Sequence, residues 1–114
     1  ADPFVSEVSD ARDKTNFKEL DAGLNFITKL EPLSFDWNKR DGTLQGKKDI
    51  GFKAQDLLQV QEDLKLEIPG LVHTEDPENL KVSYMQLITV LVKSVQELKA
   101  EVDGLKEEVN NLKK

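Results

Sequence analysis

The chain has 114 residues, a formal net charge of −6 and no cysteine. This length fits one domain with an extension, and the lack of cysteine excludes disulfides and thiolate metal sites. Because the net charge is acidic, we do not expect nucleic acid as a partner. No apolar run approaches membrane-spanning length, so we do not expect a membrane as a partner either. We also expect no metal or cofactor.

The first third of the chain predicts a loop, a helix and one arm of a hairpin. Residues 1–15 are polar without periodicity, so we expect an extended or loop conformation. Apolar residues recur at helical spacing over 16–30, in a helix that Gly23 weakens or splits and Pro32 ends. Alternation over 33–38 then predicts a strand.

The middle of the chain predicts the rest of a small α+β unit. A polar loop over 38–49 contains Asp41-Gly42, a strong turn signal, and residues 50–54 predict the returning strand of a hairpin. Residues 55–66 have helical periodicity, and Pro69-Gly70 predicts a turn. Residues 71–73 and 80–82 predict two short strands around a polar turn at 74–79.

A long helix is predicted from Ser83 onwards. Ser83 and Gln86 have the spacing of a capping box. Leu87, Val90 and Val92 widen the apolar surface of the first turns, so we expect this part to pack on the rest of the domain.

This helix carries an unbroken heptad pattern, with a β-branched residue at every a position and leucine at every d position. The a and d residues are Ile88, Leu91, Val95, Leu98, Val102, Leu105, Val109 and Leu112. We call this set the seam. About 80 residues remain outside the helix and cannot cover such a stripe, and no second helix of comparable length is predicted. The seam therefore favours association of copies of the chain over pairing within one chain.

Charges beside the seam indicate how the copies lie. In a parallel bundle, Glu101 faces a neighbour's Lys106 and Glu108 faces a neighbour's Lys113, whereas an antiparallel pairing sets like charges together. Valine at a with leucine at d leans toward two strands, although valine discriminates weakly and three strands remain open.

One group of polar residues near the N-terminus has the composition of a reactive site. Ser9 needs a base before it can attack a carbonyl, and Lys14 is five residues away. A lysine serves as that base when burial or a neighbouring cation lowers its pKa, and Arg12 is such a neighbour. The spacing alone is weak evidence for a reactive site, because such a run of polar residues is more often a solvated loop.

Four motifs, in this order, resemble a known family. They are Ser9-Asp10-x-Arg12-x-Lys14-x-Asn16, Gly23-Leu24 through Trp37, Gly51-x-x-Ala54-Gln55-Asp56, and Leu80-x-Val82-x-Tyr84-x-x-Leu87 leading into the heptads. Together they resemble the intramolecular chaperone domain at the C-termini of phage tail spikes, endosialidases, neck appendages and tail fibres. The resemblance covers residues 9 to about 112.

The resemblance implies a fold, an assembly and a self-cleavage. The expected fold class is α+β. Residues 1–8 are a remnant or the end of an upstream linker, residues 9–82 are the chaperone head, and residues 83–114 are the coiled-coil helix of a parallel homotrimer. Family members bring an upstream fibrous part of the same polypeptide, here called the trunk, into register for folding. They then release themselves, which places this step in the host cytoplasm during virion assembly.

The resemblance also implies roles for individual residues. Ser9 is the nucleophile, Lys14 is its general base, and the Val8–Ser9 peptide bond is cut. Asp10, Arg12 and Asn16 hold the loop and stabilise developing charge. The alternative is a trimerisation module of a fibre or appendage protein that never cuts itself.

Overall fold

The computed structural model of the protein describes residues 6–114. The interpretation of residues 1–8 as a remnant or linker therefore falls mostly outside the described residues. The fold is α+β, as predicted, with a small antiparallel hairpin, helices and a long C-terminal helix. Its elements are a 3-10 turn (Ala11–Asp13), α1 (Leu24–Ile27), β1 (Leu33–Asp36), β2 (Lys48–Gly51), α2 (Ala54–Leu64), β3 (Val72–His73), β4 (Lys81–Val82) and α3 (Met85–Leu112).

Helix α1 is much shorter than the predicted helix over 16–30. It begins only after Gly23, whose N–H donates to Asn25 Oδ1 at 2.8 Å, and residues 16–23 are not helical. Phe17, which fitted the helical pattern, is 72% exposed and so has no core to hold it. The prediction for 16–23 was wrong because periodicity does not reveal whether a face has a packing partner.

Strands β1 and β2 form the predicted hairpin, although β2 starts two residues earlier than expected. They are antiparallel, with Leu33 opposite Gly51 and Asp36 opposite Lys48. Backbone bonds around the loop extend the pairing to Trp37, whose N–H donates to the Lys47 carbonyl at 2.8 Å. No strand residue of this hairpin is fully buried, so the hairpin contributes little to the core.

Helix α2 and the second strand pair follow the prediction. Helix α2 ends where Lys65 adopts a left-handed conformation with φ 53°. Gln61 Oε1 then accepts from the Ile68 N–H at 2.8 Å and turns the chain back. Strands β3 and β4 are antiparallel, with Val72 opposite Val82.

The core is small and lies where α1, α2, the approach to β3 and the start of α3 meet. Its buried apolar residues are Ala22, Phe26, Leu57, Ile68, Leu71, Leu87 and Val90. A core of this size gives modest stability to a domain of about 80 residues, because smaller domains bury a smaller fraction of their surface on folding.

The start of α3 differs from the predicted capping box. Ser83 Oγ is 2.6 Å from His73 Nε2, and Gln86 Nε2 donates to the Pro69 carbonyl at 2.5 Å. Both side chains thus bind the β3–β4 region instead of each other, and Tyr84 at the N-cap makes no side-chain cap. The capping box was wrong because these tertiary partners compete for the same polar groups.

Helix α3 has two different apolar faces. Leu87, Val90 and the buried Ser94 face the head, whereas the predicted contribution of Val92 was wrong because Val92 is 53% exposed. The whole seam is exposed, from 43% for Val102 upwards. Within residues 6–114, no helix has the length and apolarity to cross a membrane.

Candidate functional site

The structure brings Ser9 and Lys14 into contact. Lys14 Nζ lies 2.6 Å from Ser9 Oγ. The 3-10 turn between them makes this possible, because the Asp13 N–H donates to the Asp10 carbonyl and the Lys14 N–H donates to the Ala11 carbonyl. A nucleophile and a base within hydrogen-bond reach are the first geometric requirement of covalent catalysis.

Asp10 and Arg12 form a second, interlocked pair beside this contact. Arg12 Nε and Nη2 donate to the two Asp10 carboxylate oxygens at 3.1 and 2.8 Å, and the Arg12 N–H donates to Asp10 Oδ1 at 2.9 Å. The Arg12 side chain, with a smaller contribution from its backbone N–H, lowers the pKa of Asp10, and the same pair raises the pKa of Arg12. The guanidinium of Arg12 is therefore paired with Asp10 within the turn, whereas the argument from spacing treated it as a cation beside Lys14.

Asn16 and Val8 bound the same segment. Asn16 has φ 57°, a left-handed conformation that asparagine tolerates better than most residues. It redirects the chain two residues after Lys14, so its visible contribution is to backbone direction. Val8, whose carbonyl is the predicted point of attack, is 89% exposed.

The segment that carries these residues lies in solvent. Every residue from 6 to 19, here called the dyad segment, is exposed. A lysine side chain that acts as a general base must first be removed from water, because hydration favours its charged form. The single chain thus brings Ser9 and Lys14 into contact but does not bury them.

Glu97, which the sequence analysis missed, contacts the chain just after the C-terminal end of the dyad segment. Glu97 Oε1, from the middle of α3, accepts the Leu24 N–H at 2.8 Å across 73 residues of sequence. Gly23 precedes this contact and is buried. The only available signals were the Gly23-Leu24 motif and a glutamate on the head side of the heptads, and neither identifies its partner.

The described residues contain no group of three or more His, Cys, Asp or Glu side chains that could hold a metal ion. Residues 9–16 themselves carry hydroxyl, amine, carboxylate and guanidinium groups.

Comparison with known proteins matches the part of the chain that bears these residues. The model of a peptidase family, described as chaperone of endosialidase, matches residues 9–66, slightly more than half of the chain. The match begins at Ser9 and ends just after α2. No curated protein and no solved structure matches the chain. The chain belongs to the chaperone of endosialidase family.

Proposed function

We propose that this protein is an intramolecular chaperone of a phage fibre, tail spike or appendage protein. It assembles as a parallel homotrimer, registers the upstream trunk of its own polypeptide for folding, and then cuts the Val8–Ser9 bond. These steps take place in the host cytoplasm during virion assembly. The exposed seam of α3 is the observation that carries the proposal.

The seam supports association because nothing in the described chain covers it. Its side chains are 43% to 86% exposed, and the head packs on a different face of the helix. Fully burying one valine or leucine contributes about 1.5–3 kcal/mol, so eight such positions supply a large driving force. The alternative is that the seam pairs with a second helix of the same chain. Helix α2 does not suit this role, because it has only 11 residues and packs in the core.

Charge and family membership support three parallel strands. Within residues 6–114, Glu101, Lys106, Glu108 and Lys113 take part in no ion pair, so they are free to meet across a parallel interface. Each exposed pair contributes only about 0–1 kcal/mol, so these charges select orientation more than strength. The choice of three strands follows the resemblance to fibre chaperones.

A bundle of this kind is useful to a fibrous trunk. Intertwined β-structure has high contact order and exposed edges, so it folds slowly and risks wrong pairing. Helices pair locally and fast, and linkage raises the effective concentration of the trunk segments to about millimolar. Removing the chaperone afterwards takes away the element that guided folding, so the stability of the trunk becomes kinetic.

The proposed cut uses the neighbouring carbonyl. Lys14 in its neutral form takes the proton from Ser9 Oγ, and Oγ attacks the Val8 carbonyl carbon. The C–N bond of Val8–Ser9 breaks, its nitrogen takes the proton from Lys14, and an ester joins Val8 to Ser9 Oγ. Water then hydrolyses this ester, leaving a Val8 carboxylate and a Ser9 amine. Because both side chains are exposed in one chain, contact with another chain supplies the desolvation that the base needs.

Intact-mass measurement of the 114-residue chain, combined with sedimentation, tests this function. We expect the wild-type trimer to lose residues 1–8, and we expect Ser9→Ala and Lys14→Ala to remain trimeric and intact. Ser6→Ala is the matched control and should be cut normally. Loss of residues 1–8 in both Ser9→Ala and Lys14→Ala would remove these residues from the mechanism.

The second candidate function is a trimerisation module that does not cut itself. The full exposure of the dyad segment favours it, since an exposed lysine is a poor base. A trimeric wild-type chain that keeps its full mass over days would establish this alternative.

A further inference from the structure

The position of the dyad segment depends on the short loop that joins its C-terminal end to α1. Residues 6–19 are exposed, and the first buried residues after them are Ala22 and Gly23. The direction in which the chain enters α1 therefore sets where Ser9 and Lys14 lie relative to the rest of the protein. We call residues 20–24 the root loop.

Local and long-range hydrogen bonds hold the root loop. Asn25 Oδ1 accepts the Gly23 N–H at 2.8 Å, and Asn25 Nδ2 donates to the Asp21 carbonyl at 3.2 Å. These bonds shape the loop where it joins α1 and do not connect it to α3. The bond from the Leu24 N–H to Glu97 Oε1, at 2.8 Å, ties it to α3. A carboxylate suits this place, because the first N–H groups of a helix lack partners within the helix.

Gly23 and Glu97 are fitted to each other. A Cβ atom added at Gly23 would lie 1.9 Å from Glu97 Oε1 and 2.9 Å from its carboxyl carbon. Any other residue at position 23 would therefore displace the carboxylate from the Leu24 N–H. The absence of a side chain at Gly23 is what lets Glu97 reach the helix.

Glu97 lies on the head-facing side of α3, in line with the buried Leu87, Val90 and Ser94. Its sequence neighbours Val95 and Leu98 belong to the seam on another side of the same helix, and their side chains are 63% and 47% exposed. Glu97 itself is half-buried against the head. Packing of the seam would fix the backbone of α3 relative to the α3 helices of neighbouring copies. The hydrogen bond from Leu24 N–H to Glu97 then holds the root loop in place on α3.

We infer that Glu97 is a positioning residue that couples assembly of α3 to the placement of Ser9 and Lys14 against a neighbouring copy. This inference rests on the proposed self-cleavage. Glu97 touches neither reacting atom and acts through the backbone of Leu24. Coupling of this kind requires a continuous physical connection, which here is one hydrogen bond between two packed elements.

Cleavage rates of trimeric variants test the inference. Glu97→Ala removes the acceptor while leaving the seam intact, so we expect trimers that cut themselves about 2- to 30-fold more slowly, the range that corresponds to loss of a helix cap. Glu97→Gln keeps an oxygen acceptor and should restore the rate to within about twofold of wild type. Glu107→Ala, which removes a carboxylate from an exposed outer position of the same helix, is the control and should cut at the wild-type rate.

A second variant tests the contact from the other side. Gly23→Ala should slow cleavage as Glu97→Ala does, and the double variant should be no slower than Glu97→Ala alone, because both changes break one interaction. A double variant in which the slowing caused by Gly23→Ala multiplies that caused by Glu97→Ala would overturn the inference. So would a wild-type rate for Glu97→Ala, or a Glu97→Gln variant as slow as Glu97→Ala. If the wild-type trimer is never cut, the proposed cleavage fails and this role with it; if only the variants behave unexpectedly, the cleavage stands and the inference alone fails.

Discussion

Replacing Leu105 by alanine tests the seam where the head does not interfere. Leu105 is 60% exposed in the single chain and lies on the part of α3 that extends beyond the core. Alanine is the stronger helix former, so the change does not weaken α3 as a helix. Any loss of association therefore comes from the packing surface that the leucine provides.

The expected magnitude follows from the exposure of this side chain. We expect each Leu105→Ala substitution to weaken association by about 2 kcal/mol, the low end of measured Leu→Ala effects. Three chains contribute one such leucine each to a trimer layer, or about 6 kcal/mol per trimer, if the effects are additive. The half-dissociation concentration of a trimer varies with the square root of its dissociation constant, so it should rise roughly 100-fold.

Sedimentation over a wide concentration range measures this shift. Leu44→Ala is the matched control, because it removes the same atoms from a leucine that is 42% exposed in the hairpin loop, off the seam. We expect the control to associate like the wild type. Equal dissociation of Leu105→Ala, Leu44→Ala and wild type would refute the assignment of the seam as the interface.

Three further predictions concern the head and the dyad segment. Leu57→Ala should lower the free energy of unfolding by about 2–5 kcal/mol in a denaturant titration, because Leu57 is fully buried. Ile50→Ala, at a side chain 76% exposed, should change it by less than about 0.5 kcal/mol; equal effects would contradict the core assignment. Asn16→Gly should preserve self-cleavage, whereas Asn16→Val should slow it, because a β-branched residue at φ 57° adds about 1–2 kcal/mol of strain; equal rates would contradict the role of the turn. Arg12 holds the pKa of Asp10 below its usual 3.8, so this pair contributes stability at higher pH and loses it only as the pH falls through the lowered pKa. A carboxyl chemical-shift titration should therefore place the Asp10 midpoint below 3.8, and a midpoint at or above that value would contradict the pairing.

Features encoded by local spacing were predictable from the sequence. The seam was clear because eight apolar residues keep one register over the whole of α3. The hairpin followed from alternation and from the Asp41-Gly42 turn. The approach of Ser9 to Lys14 was also accessible, because a single turn spans the five-residue spacing.

Features that depend on distant partners were not predictable. The pattern over 16–30 satisfied helical periodicity, yet the start of α1 is set by Gly23 and by a carboxylate 73 residues away. Ser83 and Gln86 had the right spacing for a capping box, yet His73 and Pro69 offered competing partners. In each case a single sequence gives the local preference but not the tertiary contact that overrides it.

The mass of the assembled particle tests the central claim most directly. Sedimentation equilibrium of the uncut Ser9→Ala chain should give three times the 12.9 kDa mass of the intact protomer at micromolar concentration and above, with smaller species only on strong dilution. A well-folded particle that keeps the mass of one protomer at every concentration would contradict the account, because an uncovered apolar seam would then have no partner.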